Sequence, residues 1–483
     1  MRLRDLMGAA VVDGGDVAIS GLAYDNHRVE RGTLFFCVPG FSLDGHDFAP
    51  DAVARGAAAL VAERPLGLGV PDVVVSSVRA AMGPAAARFY GDPTAELDVV
   101  GITGTNGKTT TAFLVRALLE ASGRQCGLLG TVTAFVGGVE RPVARTTAEA
   151  IDLQRDFRAM RAGGDVACAM EVSSHALRLG RADGTRFAVG LFTNLTQDHL
   201  DFHPTMEDYF EAKRRLFADG ALRAAIVNLD DPWGRRLAGE LDGAITFAID
   251  REATYRAVEI ESGFGGSRFT ALTPEGPIEL RTPLLGRFNV QNVLGAVAAA
   301  RALGVPLAAI ADALPRAGRV PGRFEPVEEG QPFAVLVDYA HTPDSLENVL
   351  TAARPLTRGR LVCVFGCGGD RDRGKRPLMG EISARLADRT IVTSDNPRSE
   401  DPAAIVEEIL AGIPADLRAD GRVAAEIDRR AAIAIALAGA RAGDVVVIAG
   451  KGHEQGQELA GGEKVPFDDV TVAREALRSV LAR

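Results

Sequence analysis

A glycine-rich loop between a strand and a helix is the feature that most constrains what this sequence can fold into. Leu97 to Ile102 form an apolar run typical of a buried strand, and Phe113 to Leu118 repeat apolar residues at helical spacing. The loop between them, residues 103–110, has the sequence Thr-Gly-Thr-Asn-Gly-Lys-Thr-Thr. Glycines let backbone N–H groups turn inward around phosphate oxygens, and the following helix adds the positive end of its dipole. The pattern predicts a phosphate loop in an α/β domain.

Two side chains of this phosphate loop (residues 103–110) have expected roles in binding ATP. Lys108 is placed to reach the β- and γ-phosphates, and the Thr109 hydroxyl is a candidate ligand of Mg²⁺. The loop departs from the usual pattern because Ile102 stands where a glycine is usual, so a chance glycine turn before a helix is the alternative. The candidate ATP-binding residues here are Gly104, Thr105, Asn106, Gly107, Lys108, Thr109 and Thr110.

Composition narrows the class of protein. The 483 residues contain 54 Lys+Arg and 64 Asp+Glu, and this acidic balance argues against a general nucleic-acid binder, which needs clustered basic residues. The five cysteines are scattered and odd in number, which predicts free thiols in a reducing compartment. No apolar run is long enough to predict a transmembrane helix, and the start is a poor signal peptide. We therefore expect a cytoplasmic α/β protein.

Breaks in the pattern suggest three domains. Short apolar runs alternate with helical patterns throughout, which favours mostly parallel sheets. Turn-forming residues interrupt this alternation at 91–94 (Gly-Asp-Pro-Thr) and again at 318–323 (Gly-Arg-Val-Pro-Gly-Arg). We therefore expect domains at 1–97, 98–321 and 322–483.

Two further strands end in residues suited to a metal site. Val166 to Met170 lead into Glu171, and Phe187 to Phe192 lead into a polar segment containing His199. Sites form at the carboxyl ends of strands in open α/β sheets, and Mg²⁺ needs few protein ligands. The alternative is a solvated glutamate and a satisfied core histidine.

The motif Gly-Ile-Thr-Gly-Thr-Asn-Gly-Lys-Thr-Thr resembles the ATP loop of the Mur ligase family, whose relatives include folylpolyglutamate synthase. The resemblance extends over nearly the whole chain. It implies a small α/β uridine-binding domain, a central P-loop ATPase-type domain and a C-terminal Rossmann-like domain. It also implies ATP-dependent amide formation through an acyl phosphate in peptidoglycan synthesis, and we expect a monomer.

The resemblance also implies the roles of the metal-site residues. The positions of Glu171 and His199 hold two Mg²⁺ ions in this family. Residues 209–217 resemble the family motif Tyr-x-x-Ala-Lys-x-x-Leu-Phe, in which the lysine, here Lys213, is carbamylated by CO₂. A carbamate would replace a cation by an oxygen donor beside Mg²⁺. We therefore expect Lys108, Glu171, His199 and Lys213 to be catalytic.

Other positions are similar to nucleotide contacts of the family. These candidates are Asn289, Asn292, Arg323 and Asp338. The bland alternatives are that Asn289 is the N-cap of an Ala-rich helix and that Asp338 caps a turn.

Asp-Asn-Pro-Arg at 395–398 resembles the signature of diaminopimelate-adding members of the family. Diaminopimelate differs from lysine by one carboxylate, and arginine pairs bidentately with a carboxylate. Arg398 and Arg371 are therefore candidates for the carboxylates, whereas Glu454 and the carbonyl of Gly450 are candidates for the distal ammonium. The candidate diaminopimelate-binding residues are Arg371, Asp395, Asn396, Pro397, Arg398, Gly450 and Glu454. A proline turn with a solvated arginine is the alternative.

The resemblance to UDP-substrate contacts is less complete. The candidates are Asn26, Thr146, Thr147, Ser173 and Arg181. Asp25-Asn26-His27 stands where the family usually has Asp-Ser-Arg, Arg145 stands where Asn is usual, and Leu179 where Gln is often found.

Four other functions remain open. A lysine-adding enzyme or a folylpolyglutamate synthase would use the same ATP centre, but the motif at 395–398 and the N-terminal domain argue against both. A P-loop ATPase or kinase would form no amide. A catalytically silent binding homologue is the last alternative, and the retained Lys108, Glu171, His199 and Lys213 argue against it.

Overall fold

The structure, a computed structural model, describes residues 1–10, 15–41, 43–218 and 222–482. The chain forms two compact units. Unit 1 comprises Met1–Thr103, Gly123–Gly190 and Ala212–Ala224, and unit 2 comprises Gly104–Ser122, Leu191–Glu211 and Ala225–Arg483.

The elements follow one another along the chain as follows. The first are α1 (Leu3–Met7), β1 (Gly21–Ala23), β2 (Thr33–Phe36), α2 (Ala49–Ala54), β3 (Ala57–Ala62), β4 (Asp72–Val74) and α3 (Val78–Phe89). Next come β5 (Asp98–Thr103), α4 (Lys108–Ala121), β6 (Cys126–Leu129), β7 (Ala134–Val136), β8 (Val139–Arg141), α5 (Ala150–Ala162), β9 (Ala167–Glu171), α6 (Ser174–Arg178), β10 (Phe187–Phe192) and α7 (Met206–Arg214).

The remaining elements complete the chain. After α7 come β11 (Ala224–Asn228), α8 (Pro232–Glu240), β12 (Ile245–Ala248), β13 (Tyr255–Gly263), β14 (Gly266–Thr273), β15 (Gly276–Thr282), α9 (Arg287–Ala302) and α10 (Leu307–Ala313). The last are β16 (Glu325–Pro326), β17 (Ala334–Asp338), α11 (Pro343–Ala353), β18 (Leu361–Phe365), α12 (Lys375–Leu386), β19 (Arg389–Val392), α13 (Pro402–Ala411), α14 (Ala415–Ala419), β20 (Val423–Ala425), α15 (Arg429–Ala438), β21 (Val445–Ala449), β22 (Gly456–Glu458), β23 (Lys464–Pro466) and α16 (Asp469–Leu481).

Unit 1 contains two groups of mostly parallel strands. Strands β1 to β4 form a parallel sheet in sequential order. In the other group β9 pairs in parallel with β5 on one side and with β6 on the other, and β7 and β8 continue antiparallel. Ile102 lies opposite Glu171 in this register. Strand β5 therefore ends at the same sheet edge at which β9 presents Glu171.

Unit 2 contains a parallel sheet covered by helices on both faces. Its strand order is β16-β17-β21-β18-β19-β20, and all pairs except β16 with β17 are parallel. Leu361, Cys363 and Phe365 face the cluster containing α11, α12 and α13, whereas Val362 and Val364 face the cluster containing α15 and α16. Both faces of these strands are buried, so β18 reads as a continuous apolar run.

The remaining strands of unit 2 end in an antiparallel meander. Strands β11, β12 and β13 pair in parallel, and β13, β14 and β15 pair antiparallel. Helix α4, which follows the phosphate loop, packs against α9. The predicted α/β class is confirmed, and the domain boundaries at 97 and 321 stay predictions. Of the helices described, none is both long and apolar enough to cross a membrane.

Candidate active site

The phosphate loop is shaped by two glycines with positive φ. Gly104 has φ +151° and Gly107 has φ +86°. A Cβ at Gly104 would clash with Thr193 Oγ1, and one at Gly107 would clash with Asn292 Oδ1. Only glycine therefore fits at these two positions, because the backbone conformation and the neighbouring side chains both exclude a larger residue.

The segment after β10 holds the loop through uncharged groups. Asn194 Oδ1 accepts a hydrogen bond from Asn106 N (2.8 Å), and Thr193 Oγ1 donates to Asn106 O (2.6 Å). Thr105 N donates to Asn194 O (2.9 Å), and Thr105 Oγ1 accepts from Thr196 N (3.0 Å). The loop conformation is thus fixed mainly by backbone, hydroxyl and amide groups, together with one carboxylate, Asp344, whose Oδ2 accepts from Asn106 Nδ2 (2.7 Å).

The two side chains expected at the phosphates lie at the start of α4. Lys108 Nζ donates to Gly104 O and Thr105 O, each at 2.9 Å, and so folds back over the loop. Thr109 Oγ1 accepts from Arg323 Nη2 at 3.2 Å, and Thr110 is buried beside it. The structure therefore brings the predicted Arg323 to the same loop as Lys108 and Thr109.

Asn289 and Asn292 lie in the first two turns of α9. Asn292 Nδ2 donates to Asn289 Oδ1 (3.0 Å), and Asn289 Nδ2 donates to Leu285 O (2.8 Å). The alternative that Asn289 is the N-cap is wrong, because Gly286 occupies that position. Asn292 also lines Gly107, so α9 contributes directly to the wall of the phosphate loop.

Asp338 ends strand β17 and is buried beneath Arg323. Its Oδ2 accepts from Phe324 N (2.7 Å), and the Arg323 guanidinium stacks on the Tyr339 ring at 4.4 Å. Burial raises the pKa of Asp338 to about 6, although the charge of Arg323 acts in the opposite direction. Asp338 therefore holds the backbone at Phe324, the residue that follows Arg323.

His199 belongs to a charged cluster centred on Asp198. Asp198 is 3.3 Å from His199 Nε2, 3.7 Å from His341 Nε2 and 3.8 Å from Lys375 Nζ. Burial would raise the pKa of Asp198, but the hydrogen bond from His341 and the neighbouring positive charges hold it well below its usual value. His199 has a φ of +56°, which is uncommon for a residue with a Cβ.

Glu171 lies at the end of β9 in unit 1 and is 1% exposed. Its Oε1 accepts from Thr131 N (2.7 Å), and Thr131 Oγ1 lies 3.1 Å from its Oε2. A Cβ at Gly130 would approach Glu171 Oε1 to 2.5 Å, so the backbone there must pass close to the carboxylate. Thr131 orients Glu171, and nothing in the local sequence singled it out.

Three of the predicted UDP-substrate residues lie around the end of β9. Thr147 Oγ1 donates to Glu171 O (2.9 Å) and accepts from Ser173 N (3.1 Å). Thr146 Oγ1 lies 3.1 Å from Thr131 Oγ1. Thr146, Thr147 and Ser173 are therefore brought together with Glu171 in unit 1.

The other two predicted UDP-substrate residues make ion pairs or hydrogen bonds elsewhere in unit 1. Arg181 lies 2.9 Å from Glu149, a carboxylate that also faces Arg79 (3.4 Å) and Arg145 (3.2 Å). Asn26 Nδ2 donates to Asp51 Oδ2 at 2.8 Å near the surface. Asn26 is thus held by a residue of the first predicted domain.

Lys213 lies near the end of α7 and is 1% exposed. Lys213 and Glu171 belong to unit 1, and His199 belongs to unit 2. A surface lysine, the ordinary interpretation of such a residue in a helix, is therefore excluded for Lys213.

The candidate residues of the C-terminal region meet where β18, β19 and β21 end. We call residues 366–373, 394–398 and 450–454 the amino-acid pocket. Around Gly368, an added Cβ would lie 2.9 Å from Arg398 Nη1 and 3.9 Å from Arg371 Cγ. Gly369 N donates to Asn396 O (2.9 Å), and a Cβ at Gly369 would clash with Pro397 O. The structure therefore brings Arg371 and Arg398 to one glycine turn.

Arg398 is held in place by an ion pair. Its Nε is 3.0 Å from Glu458 Oε2, its Nη1 donates to Gly369 O (2.8 Å), and its φ is +52°. Arg371 is exposed and donates to Asp370 O (2.9 Å). Both guanidinium groups retain further N–H donors for a carboxylate.

Glu454 and Asn396 meet across the pocket. Asn396 Nδ2 donates to Glu454 Oε2 (2.8 Å), and Lys451 Nζ lies 2.9 Å from the same oxygen. Asp395 Oδ2 would be 2.5 Å from a Cβ at Gly450, which has φ +118°. The predicted residues 395, 396, 450 and 454 are therefore neighbours.

A buried ion pair supports this pocket from below. Arg429 and Asp469 are both fully buried at their side chains and lie 2.7 Å apart. Arg429 Nη2 also donates to Ala449 O (2.9 Å), and its Nη1 reaches Ser394 O (3.5 Å). Arg429 therefore connects the ends of β19 and β21, from which two segments of the pocket begin. Arg429 lies in an Ala-rich segment that carried no functional signal.

Comparison with known proteins follows the same order of domains. Residues 18–90 match "Mur ligase family, catalytic domain", residues 102–300 match "Mur ligase middle domain" and residues 322–452 match "Mur ligase, glutamate ligase domain". These three matches cover most of the chain.

Curated relatives match over nearly the full length. UDP-N-acetylmuramoyl-L-alanyl-D-glutamate–2,6-diaminopimelate ligase of Geobacillus kaustophilus is 48% identical, covering 99% of this chain and 98% of the relative. The protein of the same name from Streptomyces coelicolor is 48% identical, covering 99% and 96%.

Solved structures agree. A structure of a UDP-N-acetylmuramoyl-L-alanyl-D-glutamate–2,6-diaminopimelate ligase superposes with a TM-score of 0.71 at 34% identity, covering 99% of each chain. The MurF ligase of Thermotoga maritima in complex with ADP has a TM-score of 0.66 at 20% identity, covering 96% of this chain and 98% of that one, which shows the shared fold. The chain belongs to the Mur ligase family.

Proposed function

We propose that this protein is an ATP-dependent ligase that adds meso-diaminopimelate to UDP-N-acetylmuramoyl-L-alanyl-D-glutamate in peptidoglycan synthesis. The observation that carries this choice is the amino-acid pocket. Two arginines meet at Gly368, and a carboxylate, Glu454, lies among the neighbouring residues of the same pocket. An amino acid with two carboxylates and a distal ammonium matches this set of charges, whereas lysine would leave one arginine unpaired.

The nucleotide would bind at the phosphate loop. Lys108 Nζ lies on the carbonyl groups of Gly104 and Thr105, within the loop that would hold the phosphates. Arg323 lies against Thr109, so a second positive charge is available at the same place. Asn289, Asn292 and Asp338 complete the proposed ATP site.

The chemistry of the proposed metal-binding residues fits Mg²⁺. Glu171 is a buried carboxylate oriented by Thr131, and Thr109 supplies a hydroxyl at the helix start. Hard oxygen donors of this kind suit Mg²⁺, which keeps waters and phosphate oxygens as its other ligands. Bound Mg²⁺ would offset the negative charge on the transferring phosphoryl group. We propose Thr109, Glu171, His199 and Lys213 as the residues that hold two such ions.

Lys213 would take part as a carbamate. A free ammonium would place a positive charge next to the proposed cations, whereas CO₂ capture by the neutral amine would give an anionic oxygen donor. The burial of Lys213 supports this assignment, because solvent would not shield the interaction.

The UDP substrate would be held by unit 1. Thr146, Thr147 and Ser173 lie around Glu171, and Arg181 contributes a positive charge for an anionic group. We propose Asn26 as a contact of the uridine or phosphate end.

The proposed reaction has two steps. The D-glutamate γ-carboxylate attacks the γ-phosphorus of ATP, which releases ADP and forms an acyl phosphate. The diaminopimelate amine then attacks the acyl carbon, and the tetrahedral intermediate expels phosphate to leave the amide. Lys108 stabilises the charge on the transferring phosphoryl group, and Arg371 and Arg398 hold the amino acid for attack. We propose that the protein acts as a cytoplasmic monomer.

Phosphate release tests this function. The assay contains ATP, Mg²⁺ and the UDP-linked muramoyl dipeptide, with either meso-diaminopimelate or L-lysine. We expect release that depends on diaminopimelate and is at least about 100-fold weaker in kcat/KM with lysine. Equal use of lysine would exclude the proposed specificity, and release that needs no amino acid would indicate an ATPase.

A further inference from the structure

Lys451 is a buried lysine of the amino-acid pocket, and it has no role in the proposed reaction. Its side chain is 0% exposed. It stands between Gly450 (φ +118°) and Gly452 (φ +54°). A Cβ at Gly450 would come within 2.5 Å of Asp395 Oδ2, and one at Gly452 within 2.7 Å of Gly322 O. The backbone therefore packs too closely for other residues on either side.

The ammonium of Lys451 joins two segments of the pocket. Nζ lies 2.8 Å from Asn396 Oδ1, 2.9 Å from Glu454 Oε2 and 3.9 Å from Asp395 Oδ1. Asn396 follows β19, whereas Lys451 and Glu454 both follow β21. The bond from Lys451 to Asn396 therefore joins two segments that are 55 residues apart in sequence. A buried charge is kept only when it is paired and hydrogen-bonded, which these contacts achieve.

These bonds fix which oxygen of Glu454 is available to a ligand. Asn396 Oδ1 accepts from Lys451 and from Glu458 N (3.0 Å), so its Nδ2 must face Glu454 Oε2 (2.8 Å). Oε2 thus receives both bonds. Among the described residues no protein donor to Glu454 Oε1 is found, and the side chain is 30% exposed. Oε1 is the oxygen left for a substrate.

The charges around Glu454 suit one ammonium group. The charged or titratable groups that act on Glu454 or on its neighbours are Lys451, Asp395, Arg429, Asp469, Arg323, Asp198, Tyr339, His341 and His453. Arg429 is neutralised by Asp469. Lys451, Asp395 and Glu454 then carry one net negative charge. Burial would raise the pKa of Glu454, but the charge and hydrogen bond of Lys451 and the bond from Asn396 hold it below its usual value.

We propose that Lys451 is a positioning residue for the amino-acid substrate. Lys451 binds Oε2 of Glu454 and so leaves Oε1 directed to the distal ammonium of the substrate. The inference rests on the proposed function, since it assumes that this pocket holds a diamino acid. Lys451 acts through Glu454 and Asn396 and does not itself touch the substrate.

The test is the KM for meso-diaminopimelate in Lys451→Met, measured by phosphate release. We expect KM to rise about 10- to 100-fold, as for loss of a hydrogen bond to a charged group, with KM for ATP within about threefold of wild type. Glu454 would then bind its proton more readily, so the ratio of variant to wild-type KM should be larger at pH 6 than at pH 8. A uniform structural loss would not change with pH. Lys464→Met, at an exposed lysine, is the matched control.

A double-mutant cycle asks whether the effect passes through Glu454. Glu454→Gln and Lys451→Met/Glu454→Gln should raise KM by the same factor, because Lys451 has nothing to position once the carboxylate is gone. Multiplicative effects would overturn the proposal, and so would an unchanged or lower KM in Lys451→Met. Lys451→Gln, which keeps a polar group in the buried space, replaces Lys451→Met if the latter does not fold. Absence of diaminopimelate-dependent activity in the wild type would instead contradict the proposed function.

Discussion

The phosphate loop and the amino-acid pocket differ in the kind of side chains that hold them in place. The loop is held mainly by backbone, hydroxyl and amide groups such as those of Asn194, and Lys108 Nζ donates to the carbonyl oxygens of Gly104 and Thr105. The pocket is held by charged side chains that pair with each other, including Arg398 with Glu458 and Lys451 with Glu454.

This difference has a physical consequence. A framework made mainly of uncharged groups leaves the electrostatic potential of the loop largely available to phosphate, so Lys108 should affect rate more than stability. In and below the pocket the buried charges are paired, as Lys451 is with Glu454 and Arg429 with Asp469, so removing one of them leaves its partner without an ion pair. Changes in the pocket should therefore affect selectivity and stability together.

The largest effect is expected at the phosphate loop. Lys108→Ala removes the positive charge at the transferring phosphoryl group and should lower kcat about 10³- to 10⁵-fold. The free energy of unfolding should change by no more than about 2 kcal/mol, because the bonds from Lys108 Nζ to Gly104 O and Thr105 O join a charge to uncharged carbonyl groups. Steady-state phosphate release and urea unfolding measure the two quantities. A loss of kcat smaller than about tenfold would contradict the role given to Lys108.

For the buried ion pair of Arg429 and Asp469, we expect the main effect of a substitution to be on stability. Arg429→Met leaves the Asp469 carboxylate buried without its partner and should lower the free energy of unfolding by about 3–5 kcal/mol. Arg430→Ala is the control on the same helix, where the side chain is 55% exposed, and it should cost no more than about 1 kcal/mol. Equal costs in urea unfolding would contradict the role given to Arg429.

Selectivity should depend on Arg398. Arg398→Ala removes one of the two guanidinium groups at Gly368 and should lower kcat/KM for diaminopimelate about 100- to 1000-fold, while kcat/KM for lysine changes little. Arg385→Ala, in which an exposed arginine loses its pair with Glu347, should leave both values unchanged. Parallel losses for the two amino acids would mean that Arg398 supports the pocket without recognising the second carboxylate.

The smallest effect concerns Asp338, the buried carboxylate on the nucleotide side. Its pKa is raised to about 6, so the folded protein binds this proton more tightly than the unfolded chain does. The resulting stability is fully present below about pH 4 and is lost as pH rises through about 6. Relative to Asp338→Asn, the wild type should lose about 2–3 kcal/mol over this range. A difference that does not vary between pH 4 and pH 7 would show that Asp338 is not perturbed.

Local features of the site were predictable from the sequence, and long-range ones were not. The phosphate loop follows from adjacent residues, since glycines, Lys108 and the helix start lie within one short segment. The bond between Lys451 and Asn396 joins residues 55 positions apart, and the pair of Arg429 with Asp469 joins residues 40 apart. No local pattern indicates such a partner. The start of α9 at Arg287 was also missed, because the apolar spacing becomes regular only after Asn292.

The most direct test of the proposed reaction is to follow an ¹⁸O label from the γ-carboxylate into the products. UDP-N-acetylmuramoyl-L-alanyl-D-glutamate labelled with ¹⁸O in the γ-carboxylate is incubated with ATP, Mg²⁺ and meso-diaminopimelate, and both products are analysed by mass spectrometry. The proposed mechanism predicts a UDP-linked muramoyl tripeptide containing diaminopimelate and one ¹⁸O atom transferred to the released phosphate. Unlabelled phosphate, or phosphate without the tripeptide, would contradict it.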